Sequence, residues 1–135
     1  MIRRVSHLGL AVRNLDAALE LYQGVFGVEV EHRFESAEDG IRAAMLRVGE
    51  IEIELMEPLG EETPVGKFLA KRGEGLHHVC YKVDDVTAAL DQAAAAGVES
   101  IDTVPRPGGD GRTLVGFLHP RGMMGVLTEL EEDVT

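Results

Sequence analysis

An internal repeat limits the fold of this chain more than any other feature. The segment "SHLGLAVRNLDAAL", which begins at Ser6, aligns with "HHVCYKVDDVTAAL", which begins at His77, and this places His7 over His78. Self-similarity at this spacing indicates two supersecondary units in tandem. Each copy starts as an alternating strand that ends in Asn or Asp, and it continues with apolar residues at helical spacing.

Short strands follow the helix in both halves. They are predicted in "VEVEHRFES", "IRAAMLRVG" and "EIEIELMEP", and then in "VESIDTV", "RTLVGFLHP" and "GVLTELEE". The pattern predicts an α+β fold of two tandem βαβββ modules with mixed sheets. We expect one domain over residues 1–135, with module one over about 1–58, a linker with one short helix over about 59–74, and module two over about 75–135.

Strand alternation gives each module a core face and a second face. On the second face the first half carries His7 and Glu54, and the second half carries His78 and Glu129 at the equivalent positions. A single strand histidine or glutamate is usually a solvated or hydrogen-bonded residue, but here the pair is repeated. Two imidazoles and two carboxylates predict a divalent-metal site if the halves pack with approximate two-fold symmetry. The curled sheets would then surround a metal-containing cleft.

Other polar residues give weaker signals. His77 falls on the core side of its strand and is interpreted as a partly buried hydrogen-bonding residue. Cys80 is interpreted as a small wall residue of the pocket, because nothing adjacent marks it as a nucleophile. His119 fits a substrate contact or a structural turn. Lys67 is interpreted as part of the solvated face of the linker helix.

Composition narrows the function classes. The formal net charge of −11 argues against nucleic acid as a partner. No run approaches the roughly 20 apolar residues of a membrane span. Cys80 is the one cysteine of the chain, which fits a reducing compartment, so we expect a cytoplasmic protein.

The sequence resembles the vicinal oxygen chelate superfamily, which includes glyoxalase I and the extradiol dioxygenases, and within it the methylmalonyl-CoA epimerase family. Four stretches that together span nearly the whole chain carry the resemblance: "HLGLAVRNLDAALELYQGVFGVEV", "EIELMEPLGEETPVGKFLAKRGEGLHHV", "RPGGDGR" and "FLHPRGMMGVLTEL". They occur in the order and spacing of the family. The "EGLHH" and "FLHP" stretches distinguish this family from the superfamily as a whole.

The resemblance implies a metal-dependent epimerase that interconverts (2R)- and (2S)-methylmalonyl-CoA by proton transfer at C2 through a metal-stabilised enolate. It implies that His7, Glu54, His78 and Glu129 bind a divalent ion, most often Co2+, with Mn2+, Ni2+ and Zn2+ as alternatives. A homodimer is also expected. Because the CoA tail of the implied substrate carries phosphates, Lys67, His119 and Arg121 are candidates for contact with the substrate. One branch of the family has glutamine in place of Glu54 and a glutamate in the preceding strand, where this chain has Ala43.

A base is needed on each side of C2, and Glu129 is the first candidate and Glu54 the second. Two other readings stay open. One is another enzyme of the superfamily, such as a glyoxalase I-type lyase or an extradiol dioxygenase. The other is a non-catalytic small-molecule-binding protein, which is less favoured because aromatic residues make up only 4% of the chain and such a cleft needs them.

Overall fold

The structure is a computed structural model that describes residues 1–134, so the last residue of the predicted second module, Thr135, lies outside it. The chain divides into two compact units. We call residues 7–77 the first unit, and residues 1–6 together with those from 78 onward the second unit. Among the described residues no helix has the length and apolar character needed to cross a membrane.

The element order is the predicted βαβββ pattern repeated, with one helix between the copies. The elements are β1 (Ile2–Ala11), α1 (Leu15–Leu19), a π-helical stretch (Glu20–Val25), β2 (Val30–Ser36), β3 (Ile41–Val48), β4 (Ile51–Pro58), α2 (Pro64–Arg72), β5 (Gly75–Val83), α3 (Val86–Ala95), β6 (Arg106–Pro107), β7 (Thr113–Leu118), a 3-10 turn (Pro120–Gly122) and β8 (Thr128–Asp133). Helix α2 is the predicted linker helix.

Both halves use the same mixed pairing. In the first, β1 pairs in parallel with β4, and β2, β3 and β4 pair antiparallel in sequence. In the second, β5 pairs in parallel with β8, and β6, β7 and β8 pair antiparallel in sequence. The predicted α+β class with mixed sheets is therefore confirmed.

Local capping explains where α1 and α3 begin, and where the π-helical stretch after α1 and helix α3 end. The side chain of Asn14 accepts a backbone N–H in the first turn of α1 at 2.9 Å, and that of Asp85 does the same for α3 at 3.0 Å. These are the predicted N-caps. Gly27 and Gly97, the predicted stops, have φ of +66° and +84°, which side chains disfavour.

A carboxylate from the last strand of each module also supports the start of its helix, and the sequence analysis missed it. Glu57, at the end of β4, accepts the N–H of Leu15 at 2.8 Å. Glu132, near the end of β8, accepts the N–H of Val86 at 3.0 Å. Negative charge at a helix N-terminus is stabilising, so the last strand of each module holds the helix of that module in place.

The two faces of the first unit are both covered, each by a different helix. Leu8 and Leu10 on β1 pack toward the cluster that contains Leu15 and Leu19 of α1, as alternation predicted. On the second face, α2 packs onto residues at the ends of β1 and β4 and on β3, and together they form an apolar cluster. The buried members of this cluster are Ala11, Ile41, Ala43, Met56, Val65 and Leu69.

The predicted strand over "VESIDTV" is wrong. This segment forms only an isolated bridge between Ser100 and Leu118, and β6 is limited to Arg106–Pro107. Prolines at 105 and 107 have no N–H to donate to a ladder. Instead, the Asp102 side chain accepts the N–H of Phe117 at 2.9 Å.

Candidate functional site

The first unit brings His7 and Glu54 together. Nε2 of His7 lies 3.5 Å from Oε1 of Glu54, and the two residues are 6% and 8% exposed. Their meeting follows from register, because Gly9 of β1 is the partner of Glu54 on β4. His7 precedes Gly9 by two positions and so shares its face. Glycine has no side chain to stand between the imidazole and the carboxylate.

The second unit repeats this arrangement with His78 and Glu129. Nε2 of His78 lies 3.1 Å from Oε1 of Glu129, and the residues are 3% and 8% exposed. Cys80 of β5 is the partner of Glu129 on β8, just as Gly9 is the partner of Glu54. The thiol is fully buried, which agrees with its interpretation as a small wall residue.

The structure thus gives each unit one buried imidazole beside one buried carboxylate. These nitrogen and oxygen donors are the ligand types that divalent transition ions take in proteins. Within each unit, the donor pair therefore fits a divalent ion of the predicted kind.

Glu54 is flanked by methionine and alanine on the neighbouring strand. Met45 of β3 is the partner of Glu54, and Ala43 is the partner of Met56. Ala43 is fully buried in the apolar cluster under α2. The position at which one branch of the family carries a glutamate is therefore apolar in this chain.

The nearest other carboxylate on β4 is Glu52, whose Cα is paired with that of His7. Burial and the neighbouring Glu31 carboxylate raise the pKa of Glu52 to about 7, although Arg47 opposes the shift. Arg47 Nε lies 3.1 Å from Glu31 Oε1. Acidic groups thus extend beyond Glu54 along the same strand.

A charged network borders the pair of the second unit. Lys82 Nζ lies 3.1 Å from Oε1 of Glu131 and 2.8 Å from Oδ1 of Asp133. The Ser6 hydroxyl donates to the same Glu131 oxygen. Burial lowers the pKa of Lys82, but hydrogen bonds and the charges of Glu131 and Asp133 raise it more, so its net pKa lies above the ordinary value.

The other predicted site residues lie elsewhere, and their substrate contacts stay predictions. Lys67 is exposed on α2. The Nδ1 atom of His119 accepts the N–H of Arg121 at 3.0 Å and so caps the 3-10 turn. The Arg121 guanidinium lies 2.9 Å from Glu99.

His77 and His78 are adjacent in sequence but have different surroundings. The ring of His77 meets the Phe68 ring of α2 at a centroid distance of 5.0 Å and an angle of 68°. The His78 ring meets the Phe117 ring at 5.5 Å and 78°. Sequence reasoning missed Phe117, because its place opposite Glu129 depends on the register of the last two strands.

A cavity of about 590 Å³ lies in the first unit beside α2. Arg13, Glu61, Leu69 and other residues line it, and neither His7 nor Glu54 is among them. This cavity is therefore separate from the His7–Glu54 pair.

Comparison with known proteins places the chain in a family. Residues 6–117 match the model of the Glyoxalase/Bleomycin resistance protein/Dioxygenase superfamily. The mitochondrial methylmalonyl-CoA epimerase of Dictyostelium discoideum is 38% identical over 97% of this chain and 79% of that protein. An ethylmalonyl-CoA/methylmalonyl-CoA epimerase of Cereibacter sphaeroides is 37% identical over 98% of this chain and 99% of that protein.

A solved structure gives the same result. A methylmalonyl-CoA epimerase in complex with methylmalonyl-CoA and NH4+ superposes with a TM-score of 0.95 at 38% identity. The match covers 100% of this chain and 97% of that one. The likeness therefore extends over both repeats and α2.

Proposed function

The chain belongs to the Glyoxalase/Bleomycin resistance protein/Dioxygenase superfamily and, within it, to the methylmalonyl-CoA epimerase family, and we propose that it interconverts (2R)- and (2S)-methylmalonyl-CoA. One observation identifies the residues on which the proposal rests. Each unit buries a His–Glu pair, and both pairs arise from the same strand register.

We propose that His7, Glu54, His78 and Glu129 together hold one divalent ion, with Co2+ as the first choice and Mn2+, Ni2+ or Zn2+ as alternatives. When bound, such an ion supplies Lewis acidity toward the thioester and carboxylate oxygens of the substrate. All four proposed ligands are buried.

The chain's own carboxylates move the proton. One glutamate removes the C2 proton, and the electron pair of the C–H bond shifts into the thioester carbonyl to give a planar enolate. The other glutamate returns a proton to C2 on the opposite side, which inverts the centre. We assign these roles to Glu129 and Glu54, because Ala43 leaves no carboxylate at the alternative position on β3.

A carboxylate that also binds a metal is a weaker base than a free one, since the cation lowers its pKa. Each glutamate has two oxygens, so one can face the imidazole and the ion while the other meets the C2 proton. Oε1 is the atom that lies near the histidine in both pairs.

The proposal also covers substrate contacts, assembly and cellular location, each as the sequence predicts. Lys67, His119 and Arg121 are proposed to contact the acyl-CoA. A homodimer is proposed because symmetric pairing is the most common assembly of soluble chains. Cys80 is the one cysteine of the chain and is buried, which fits the proposed reducing, cytoplasmic setting.

The test uses metal-stripped protein and a single epimer of methylmalonyl-CoA, with and without added Co2+. Formation of the other epimer is followed against a sample without protein. We expect rapid epimerisation only in the sample that contains protein and Co2+. Epimerisation at the protein-free rate, with Co2+ demonstrably bound, would overturn the substrate assignment while leaving the metal site in place.

The alternative activities are assayed with the same protein preparation. A glyoxalase I-type lyase would consume the hemithioacetal of methylglyoxal and glutathione, and an extradiol dioxygenase would consume catechol with Fe2+ and oxygen. We expect neither substrate to be turned over at a rate comparable to that of methylmalonyl-CoA.

A further inference from the structure

A continuous series of contacts in the second unit leads to the His78 ring. Its three members are Asp102, Arg106 and Phe117. The Phe117 ring lies nearly perpendicular to His78, with 5.5 Å between centroids. The guanidinium carbon of Arg106 lies 5.7 Å from the centroid of the Phe117 ring. Both distances are in the range in which ring–ring and cation–ring contacts are attractive.

Asp102 fixes the other two members of this series. Its Oδ1 accepts the Nε–H of Arg106 at 3.2 Å, and its Oδ2 accepts the backbone N–H of Phe117 at 2.9 Å. The same carboxylate therefore holds the strand that carries the ring and the cation that covers the ring. The Arg106 and Asp102 side chains are 28% and 17% exposed, so solvent screens their ion pair only in part.

Phe117 also stands at a defined place relative to Glu129. It is the antiparallel partner of Glu129 on β7, as Met45 is the partner of Glu54 on β3. The two modules thus differ at this position as well as at the position of Gly9 and Cys80. An aromatic ring with few rotamers flanks the second pair, and a flexible thioether flanks the first.

We infer that Phe117 is a positioning residue for the His78–Glu129 pair, and that Asp102 and Arg106 act on the pair through it. The inference rests on the proposed metal role of that pair. The ring limits rotation of the His78 imidazole about its side-chain bonds, so that Nε2 stays directed toward the Glu129 side of the site. Hydrogen-bond partners that orient a metal-binding histidine typically contribute about 10- to 100-fold to metal affinity, and we expect the ring contact to lie at the lower end of this range.

The test measures Co2+ affinity and the visible ligand-field spectrum of the Co2+ protein, without any substrate. We expect Phe117→Leu to weaken Co2+ binding about tenfold and to change the spectrum. Arg106→Gln should have a smaller effect in the same direction, and Phe117→Tyr should restore both readouts. Met45→Leu, at the equivalent place of the first module, is the matched control and should bind Co2+ within about threefold of wild type.

Thermal unfolding of the metal-free variants shows whether each one folds. If Phe117→Leu folds and its affinity and spectrum equal those of wild type, the positioning role is overturned. An equal loss in Met45→Leu would also overturn it, because the effect would then be general packing. If wild type itself bound no divalent ion, the metal assignment under the proposed function would fail, and this inference with it.

Discussion

Nε2 of His78 lies 3.1 Å from Oε1 of Glu129, and both residues are more than nine-tenths buried. A buried imidazole and carboxylate at this separation form a pre-set nitrogen and oxygen donor pair. The first unit contains the same pair at 3.5 Å, between His7 and Glu54. The repeat has therefore preserved a chemical unit as well as a fold.

Replacement of Glu54 and of Glu129, one at a time, should show whether each acts as a base or only as a metal ligand. In D2O, Glu54→Gln should lose epimerisation about 100-fold or more but retain C2 proton exchange on one epimer, and Glu129→Gln should retain it on the other. The reason is that each base serves one side of C2. Deuterium content of each epimer is measured by mass spectrometry.

Glu62→Gln, an exposed position, is the control for these two variants and should behave as wild type. Equal loss of exchange on both epimers in both variants would indicate that the glutamates act only as ligands. The assignment of one glutamate as the base on each side of C2 would then be wrong.

Glu57 should make stability depend on pH. Burial raises its pKa, but the Leu15 N–H and the Arg42 guanidinium lower it more, so the net pKa lies below the ordinary 4.5. A depressed carboxyl pKa contributes stability above the unfolded value, and this is lost as pH falls through the folded value. Glu57→Gln should cost about 1 kcal/mol at pH 7 and less than that below about pH 4.

Urea unfolding at pH 7 and at low pH measures this difference. Glu38→Gln removes a carboxylate from an exposed position and should leave the unfolding free energy unchanged at both values. A cost for Glu57→Gln that is the same at both pH values would show that its charge does not stabilise the start of α1.

Lys82 should be needed to keep Glu131 buried. The two side chains are 14% and 9% exposed, and removal of one partner leaves the other charge without compensation. Lys82→Met should therefore lower the free energy of unfolding by about 3 kcal/mol, and Lys82→Met/Glu131→Gln should recover part of the loss. Chemical denaturation at pH 7 gives both values.

The exposed pair Arg33–Asp16, at 3.5 Å, supplies the comparison for Lys82. Arg33→Gln should cost less than about 1 kcal/mol, because solvent screens that pair. A cost for Lys82→Met no larger than this would mean that water reaches Glu131 freely.

Gly66 should be intolerant of alanine although it lies in a helix. A Cβ at this position would meet the Gly60 carbonyl oxygen and lie 2.9 Å from that of Glu61, and backbone atoms cannot move aside cheaply. Gly66→Ala should cost about 1–3 kcal/mol despite the better helix propensity of alanine. Gly24→Ala, where a Cβ would have no contact closer than 4.0 Å, should be neutral or stabilising in the same thermal unfolding assay.

Much of this fold could be predicted because the repeat supplies its own alignment. The offset of His7 from His78 gave the first strand of each module, and alternation placed the His–Glu pairs on one face. The distances within each pair, 3.5 and 3.1 Å, agree with that placement. How the four residues act together is the content of the proposed function.

The contacts that depend on strand register could not be predicted. The capping of α1 by Glu57 needs the end of β4 to lie beside Leu15, and sequence periodicity contains no such information. The same holds for the contact between Phe117 and His78. The error over "VESIDTV" has a different cause, because the prolines at 105 and 107 that follow the segment have no N–H to donate to a ladder.

Deuterium uptake at C2 of methylmalonyl-CoA tests the central claim most directly. Metal-stripped protein is incubated with one epimer in D2O, with and without Co2+, and compared with a sample that lacks protein. The account predicts fast, Co2+-dependent incorporation of one deuterium together with formation of the other epimer. Incorporation at the protein-free rate, in protein shown to hold Co2+, would contradict it.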